Sequence, residues 1–317
     1  MNPSATAQIP NSVPKANLAR NLLLSVLGGF LIATQTATPA MSATMHQAQS
    51  QPDIHKLIRN MAWNELQAAE RPAHYYRYIS REVSPGEART TEQIQTAQGI
   101  AELLLTVNGK PPTPEQRQAN NNLLARLTTD ARFRQSRLRN HRQDTARRDS
   151  IIKNLPEAFI YTFMGKSKDG LIHLKFRPDP QFNPSSRQAV ILEGMEGELW
   201  VDPSSQRMVK IDGRLIKDVT IGWGFLARLY KGGRFLMEQS KGSDGMWHQE
   251  LLSVDFDGTE LIFKALHVHE KLIRCCFERV PHNLTIKQAV HRLQENPDLP
   301  AHWDSKLKAI EKSDGSY

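Results

Sequence analysis

Cysteine is nearly absent from this chain of 317 residues, and the only two, Cys275 and Cys276, are adjacent. No disulfide framework can form. Neighbouring side chains on a strand point to opposite faces and a vicinal disulfide strains its peptide, so the pair is expected unpaired, one inward and one outward. Also lacking is an uninterrupted apolar run of the roughly 20 residues that cross a bilayer. There is no Gly-x-Ser-x-Gly elbow, no phosphate loop and no dinucleotide fingerprint. Asp255 and Asp257 share a strand face, but Asp257-Gly258 also carries the signature of a turn, which explains its aspartate without chemistry. His267 and His269 sit at a chelating spacing, yet a third and fourth ligand are not evident and Glu270 faces the other way. These gaps argue against an enzyme, a cofactor or a bound metal.

What is present is mostly strand. From Ala158 to Val280, alternating runs such as Glu198-Leu199-Trp200-Val201 and Met208-Val209-Lys210-Ile211 are separated by Lys168-Asp169-Gly170, Asp202-Pro203-Ser204, Gly232-Gly233, Asp244-Gly245 and Asp257-Gly258. Such short spacing allows hairpins but not crossover helices, so neighbouring strands are expected antiparallel. Further strands are expected over 74–83 and, broken at Gln98-Gly99, over 91–107. Asp53 to Glu70 has the three-and-four spacing of an amphipathic helix, with Leu57, Met61 and Leu66 on its apolar face and Asp53 as cap. Two short helices are expected over 285–296 and 298–312.

The net charge of +8 is concentrated. Between Thr113 and Lys153 there are ten Lys or Arg against four Asp or Glu. Thr113-Pro114 is a helix start, and the helix is expected to reach Asn154 and to break at Leu155-Pro156. Its apolar content is thin, so it lies along a narrow seam or projects as an arm. Arg132, Arg134, Arg137, Arg139, Arg142, Arg147 and Arg148 are its candidate contacts to anionic lipid or an acidic protein, with nucleic acid not expected. Solvated arginines whose stems cover apolar surface are the plain alternative.

Residues 1–43 have the pattern of an export signal: Lys15 and Arg20, an apolar stretch from Asn21 to Ala33, and small residues that place cleavage after Ala40 or Ala43. The expected product is a soluble, exported, monomeric protein, with an uncleaved N-terminal anchor as the alternative. Its half-barrel domain would span 44–283, with the basic insertion at 113–154 and a helical tail at 284–317.

Gly194-Met195-Glu196-Gly197-Glu198-Leu199-Trp200-Val201-Asp202-Pro203, followed by Met208-Val209-Lys210-Ile211, resembles the outer-membrane lipoprotein carrier family of periplasmic proteins. The resemblance implies an α+β fold: a large antiparallel sheet curved into an incomplete β-barrel, with the N-terminal helix in or near its concavity. It implies a carrier or binder of an acylated or apolar ligand such as lipid or lipoprotein. Leu57, Met61 and Leu66 then line the hollow, either standing in for cargo or as permanent core. Trp223, Phe225 and Leu226, beside Gly222 and Gly224, form a candidate lid or a loop tucked into the core. The alternative is a non-carrier envelope protein that docks through its basic helix.

Overall fold

A computed structural model describes residues 53–70, 74–222, 227–261, 264–295, 299 and 302–313. The expected export signal and the candidate lid residues Trp223, Phe225 and Leu226 lie outside them. Five helices and twelve strands are described: α1 (Ile54–Glu70), β1 (Tyr75–Ser84), β2 (Glu87–Thr96), β3 (Gly99–Val107), α2 (Pro114–Thr129), α3 (Ala131–Ala158), β4 (Phe159–Lys166), β5 (Ile172–Pro178), β6 (Met195–Val201), β7 (Met208–Leu215), β8 (Val219–Ile221), β9 (Ala227–Leu229), β10 (Arg234–Lys241), β11 (Trp247–Glu260), β12 (Lys264–Val280), α4 (Ile286–Glu295) and α5 (Trp303–Ser313). Among the described residues no helix is long and apolar enough to cross a membrane.

All strands belong to one open antiparallel sheet, so the chain is α+β. Its continuous path runs β3-β2-β1-β12-β11-β10-β7-β6-β5-β4, with the short β8–β9 hairpin attached to β11. Two meanders are therefore joined by β1 pairing with the last strand, β12. The edges of this path are β3 and β4, which are neighbours in sequence but lie at opposite ends of the sheet. The chain between them is the basic segment.

That topology explains the segment's length. Nine interstrand gaps span about 43 Å, and the 28 residues of α3 extend about 42 Å. The helix is not a projecting arm: it lies on the surface along a narrow seam, with only Arg148, Ile152, Asn154, Leu155 and Ala158 buried. It is a strap that carries the chain from one sheet edge to the other across one face. Two local expectations are corrected with it. The helix breaks early, at Asp130, whose side chain accepts from the Phe133 N–H and so caps α3. It then runs past Leu155-Pro156 to Ala158, because a proline in the last turn forfeits one hydrogen bond while buried Leu155, Ala158 and Phe159 hold that turn in the core.

The strap's face of the sheet carries the main core. Leu57, Ile58 and Met61 of α1 meet Leu174 and Phe176 of β5, Leu199 of β6 and Met208 of β7, with Leu155 of the strap above. Leu66 packs with Ala62 and the strap's Ile152. Helix α1 is also tied by polar contacts. Glu65, fully buried, accepts from Arg207 Nε at 2.8 Å and Nη2 at 3.0 Å, and from the Met208 backbone N–H at 2.9 Å. Asn64 Nδ2 donates to the carbonyls of Ser205 and Gln206, so α1 grips the β6–β7 turn. The opposite face of the sheet is covered by α4 on β2 and β3 and by α5 on β11 and β12.

Two more expectations fail for reasons of packing. Asp257-Gly258 is not a turn but lies within β11, paired to His267 and Leu266 of β12. The cysteines do not point apart. A bulge opposite Tyr78 places Cys276 at φ 64, which turns its side chain back until the two thiol sulfurs are 2.6 Å apart. The hydrogen bond that the two thiols share raises Cys275, with burial adding to the effect, and lowers Cys276.

Candidate functional site

The space between strap and sheet is divided. At the β4–β7 end it is apolar and nearly filled, leaving about 90 Å³ among Ile152, Leu155, Met195, Met208, Met237 and Phe256. At the β1–β3 end the strap stands away from the sheet over a chamber of about 590 Å³. Val254 of β11 borders both spaces, so they are neighbours on one face of the sheet.

The chamber floor is polar because residues of alternate phase on β1 and β2 bring one another into register. Tyr78 lies opposite Gln93, and Ser80 opposite Thr91. The Tyr78 hydroxyl donates to Gln93 Oε1 at 2.6 Å, and Gln93 Nε2 donates to Thr91 Oγ1 at 3.0 Å, so these side chains hold one another in place. Leu104 on β3, Leu252 and Val254 on β11 and Leu272 on β12 add an apolar flank. One wall is sealed by Asn120 of α2. Its Nδ2 donates to the Glu102 carbonyl at 2.9 Å and its Oδ1 accepts from the Leu104 N–H at 3.1 Å. These are the backbone groups that edge strand β3 would otherwise leave bare.

The roof is the strap. Arg137, Leu138 and His141 line the chamber, and Arg137 Nη2 reaches down to Glu102 Oε1 at 3.0 Å. Burial raises the Glu102 carboxyl above the usual range against the pull of Arg137, and burial likewise lowers His141. Acidification therefore discharges Glu102 earlier than a free carboxylate, while His141 stays neutral to lower pH than a free imidazole.

Arg274, on β12, also lines the chamber, and its charge acts on Glu102. Its guanidinium lies 5.7 Å from the centre of the Tyr78 ring. Its Nε is buried and has no hydrogen-bond partner among the described residues. A buried unmade hydrogen bond costs about 1–3 kcal/mol and more on a charged group, so a chamber that keeps one is suited to an incoming acceptor.

The strap sorts the arginines of the basic segment by helical phase. Arg137 and Arg148 fall on the inner face, Arg148 buried beside the apolar pocket and bonded to Asp149 at 2.5 Å. Arg134 caps the end of α2 by donating to the Leu127 carbonyl at 2.8 Å, and Arg147 pairs with Asp144 at 3.3 Å. Arg132, Arg139 and Arg142 share the outer face, are exposed, and have no ion pair among the described residues. Leu57, Met61 and Leu66 are buried against sheet and strap rather than lining the larger chamber. Arg274, Tyr78, Gln93 and Glu102 were missed by sequence reasoning. They come from four different strands, and only the β1–β12 pairing brings them together.

No protein-family model, no curated protein and no solved structure matches this chain.

Proposed function

We propose that this chain is a non-catalytic binding or carrier protein, exported to the periplasm, for an acylated or otherwise amphiphilic ligand with an anionic head. The observation that carries the reading is the buried Nε of Arg274, without a hydrogen-bond partner among the described residues, on a side chain that lines a chamber of about 590 Å³. That size lies in the range of small-molecule sites, about 300–1,000 Å³. The head would accept from Arg274 and stand over Tyr78. The chain would lie along Leu252, Val254 and Leu272 towards the apolar pocket. Burial of each methylene there contributes about 0.8 kcal/mol. The export pattern of residues 1–43 supports the compartment, and the hairpin resemblance agrees with it.

The test uses two ligands with the same tail and opposite heads, dodecanoate and dodecyltrimethylammonium, in calorimetric titrations of the full chain. The anion is expected to bind and the cation to bind far more weakly. Replacing Arg274 by glutamine is expected to weaken dodecanoate by about 1.5–3 kcal/mol, or roughly 10- to 100-fold. Equal binding of both heads, or no change in the Arg274→Gln variant, would overturn the reading.

A second reading is favoured by one separate observation, the outward stripe of Arg132, Arg139 and Arg142. Charges of this kind near an anionic bilayer contribute about 1 kcal/mol each. Sedimentation with vesicles containing anionic lipid is expected to fall at least about tenfold when all three are changed to glutamate. Unchanged sedimentation removes membrane docking through this face. Arg134 and Arg137 are unsuitable for that test because they hold α2 and Glu102.

A further inference from the structure

We infer that the outer face of the β11–β12 hairpin carries a binding site for one divalent transition-metal ion of the zinc type, built from His267, His269 and Asp257, with Asp255 holding His269 in place. The hairpin register sets Asp255 opposite His269 and Asp257 opposite His267. Two carboxylates and two imidazoles therefore form a square on one face. Their in-between neighbours Val254, Phe256, Leu266 and Val268 are buried on the other. Asp255, Asp257 and His267 are exposed and His269 is half-buried, so the group lies outside the core.

The distances fit a metal. The ligand atoms of Asp257, His267 and His269 all lie within 4.8 Å of one another. In a tetrahedral site with bonds of about 2.0–2.1 Å the ligand atoms stand about 3.4 Å apart. His269 Nε2 is 3.3 Å from Asp257 Oδ1, and His267 Nδ1 is 2.6 Å from that same oxygen, so a small opening of one contact completes the triad. The other nitrogen of His269, Nδ1, is 2.5 Å from Asp255 Oδ1. That is the carboxylate–histidine arrangement that orients a metal-bound imidazole. Two imidazoles with one carboxylate select zinc, copper, nickel or cobalt over calcium or magnesium, which prefer all-oxygen shells. Solvent would supply the fourth ligand.

The experiment is calorimetric titration of the untagged full chain with Zn²⁺, with Cu²⁺ and electron paramagnetic resonance as a second readout. One ion per chain is expected, with nitrogen hyperfine structure in the Cu²⁺ spectrum. The His267→Ala/His269→Ala variant should lose that stoichiometric ion while its circular dichroism stays unchanged, because neither side chain belongs to the core. Asp255→Asn, which leaves every direct ligand in place, should bind about 10-fold more weakly. Binding that is the same in wild type and the double histidine variant, or no saturable binding in wild type, overturns the inference. So does a Cu²⁺ spectrum without nitrogen hyperfine lines.

Discussion

Replacing Glu65 by alanine is expected to lower the free energy of unfolding by about 3–5 kcal/mol, because it strands a buried guanidinium. Arg207 has only 6% of its side chain exposed, and Glu65 has none. Removing the carboxylate leaves the cation with Gln239 alone, at 3.4 Å, and takes the acceptor from the Met208 N–H. At about 2–4 °C per kcal/mol for a domain of this size, the melting temperature should fall by roughly 6–20 °C. The double variant Glu65→Leu/Arg207→Met removes both charges and should recover much of the loss. Recovery stays incomplete, since the Met208 N–H still lacks its partner. Thermal unfolding followed by circular dichroism measures both. The result also decides the role of α1. A helix that swings out to admit cargo cannot be tied by an interaction of this size. A loss below about 1 kcal/mol for Glu65→Ala would therefore reopen α1 as an exchangeable plug, whereas a large loss makes it permanent core.

The individual strands and helices were legible because their signals are local. Alternation and turn residues placed β1 to β7, and Thr113-Pro114 marked the start of α2, where Thr113 and Gln116 form a reciprocal cap. What was not legible is long-range. A polar helix with few apolar residues looks like an arm until the sheet order shows that it must connect β3 to β4. The chamber depends on β1 pairing with β12, about two hundred residues later in the chain. The metal-ligand square had a readable signal, an Asp-x-Asp and a His-x-His at mirror positions about one hairpin. Asp257-Gly258 also has the composition of a turn, which masks the Asp-x-Asp as part of a strand. The thiols met for a reason no alternation pattern contains, a bulge that lets Cys276 adopt a positive φ.

Changing Gly258 to alanine is expected to cost about 2–3 kcal/mol through overpacking against backbone, and to expose apolar surface at the pocket. A Cβ at this position would stand 2.1 Å from the Arg228 carbonyl oxygen and 3.2 Å from the Leu229 Cα, neither of which can rotate away. Strand β9 pairs there with β11, Gly258 against Leu229, so the alanine must push the β8–β9 hairpin off the sheet. That hairpin carries buried Val219, Ile221, Ala227 and Leu229, and Ile221 lines the apolar pocket. Binding of a hydrophobic dye should therefore rise together with the loss in stability. Gly170 provides the contrast. It has φ +79 in a turn with open space around it, so alanine there strains only the backbone, by about 1–2 kcal/mol, and should leave dye binding unchanged. Gly258→Ala behaving like Gly170→Ala would mean that position 258 acts as a turn glycine and that the hairpin does not close the pocket. Dye binding confined to Gly258→Ala would mark β8–β9 as the wall that a ligand tail must meet.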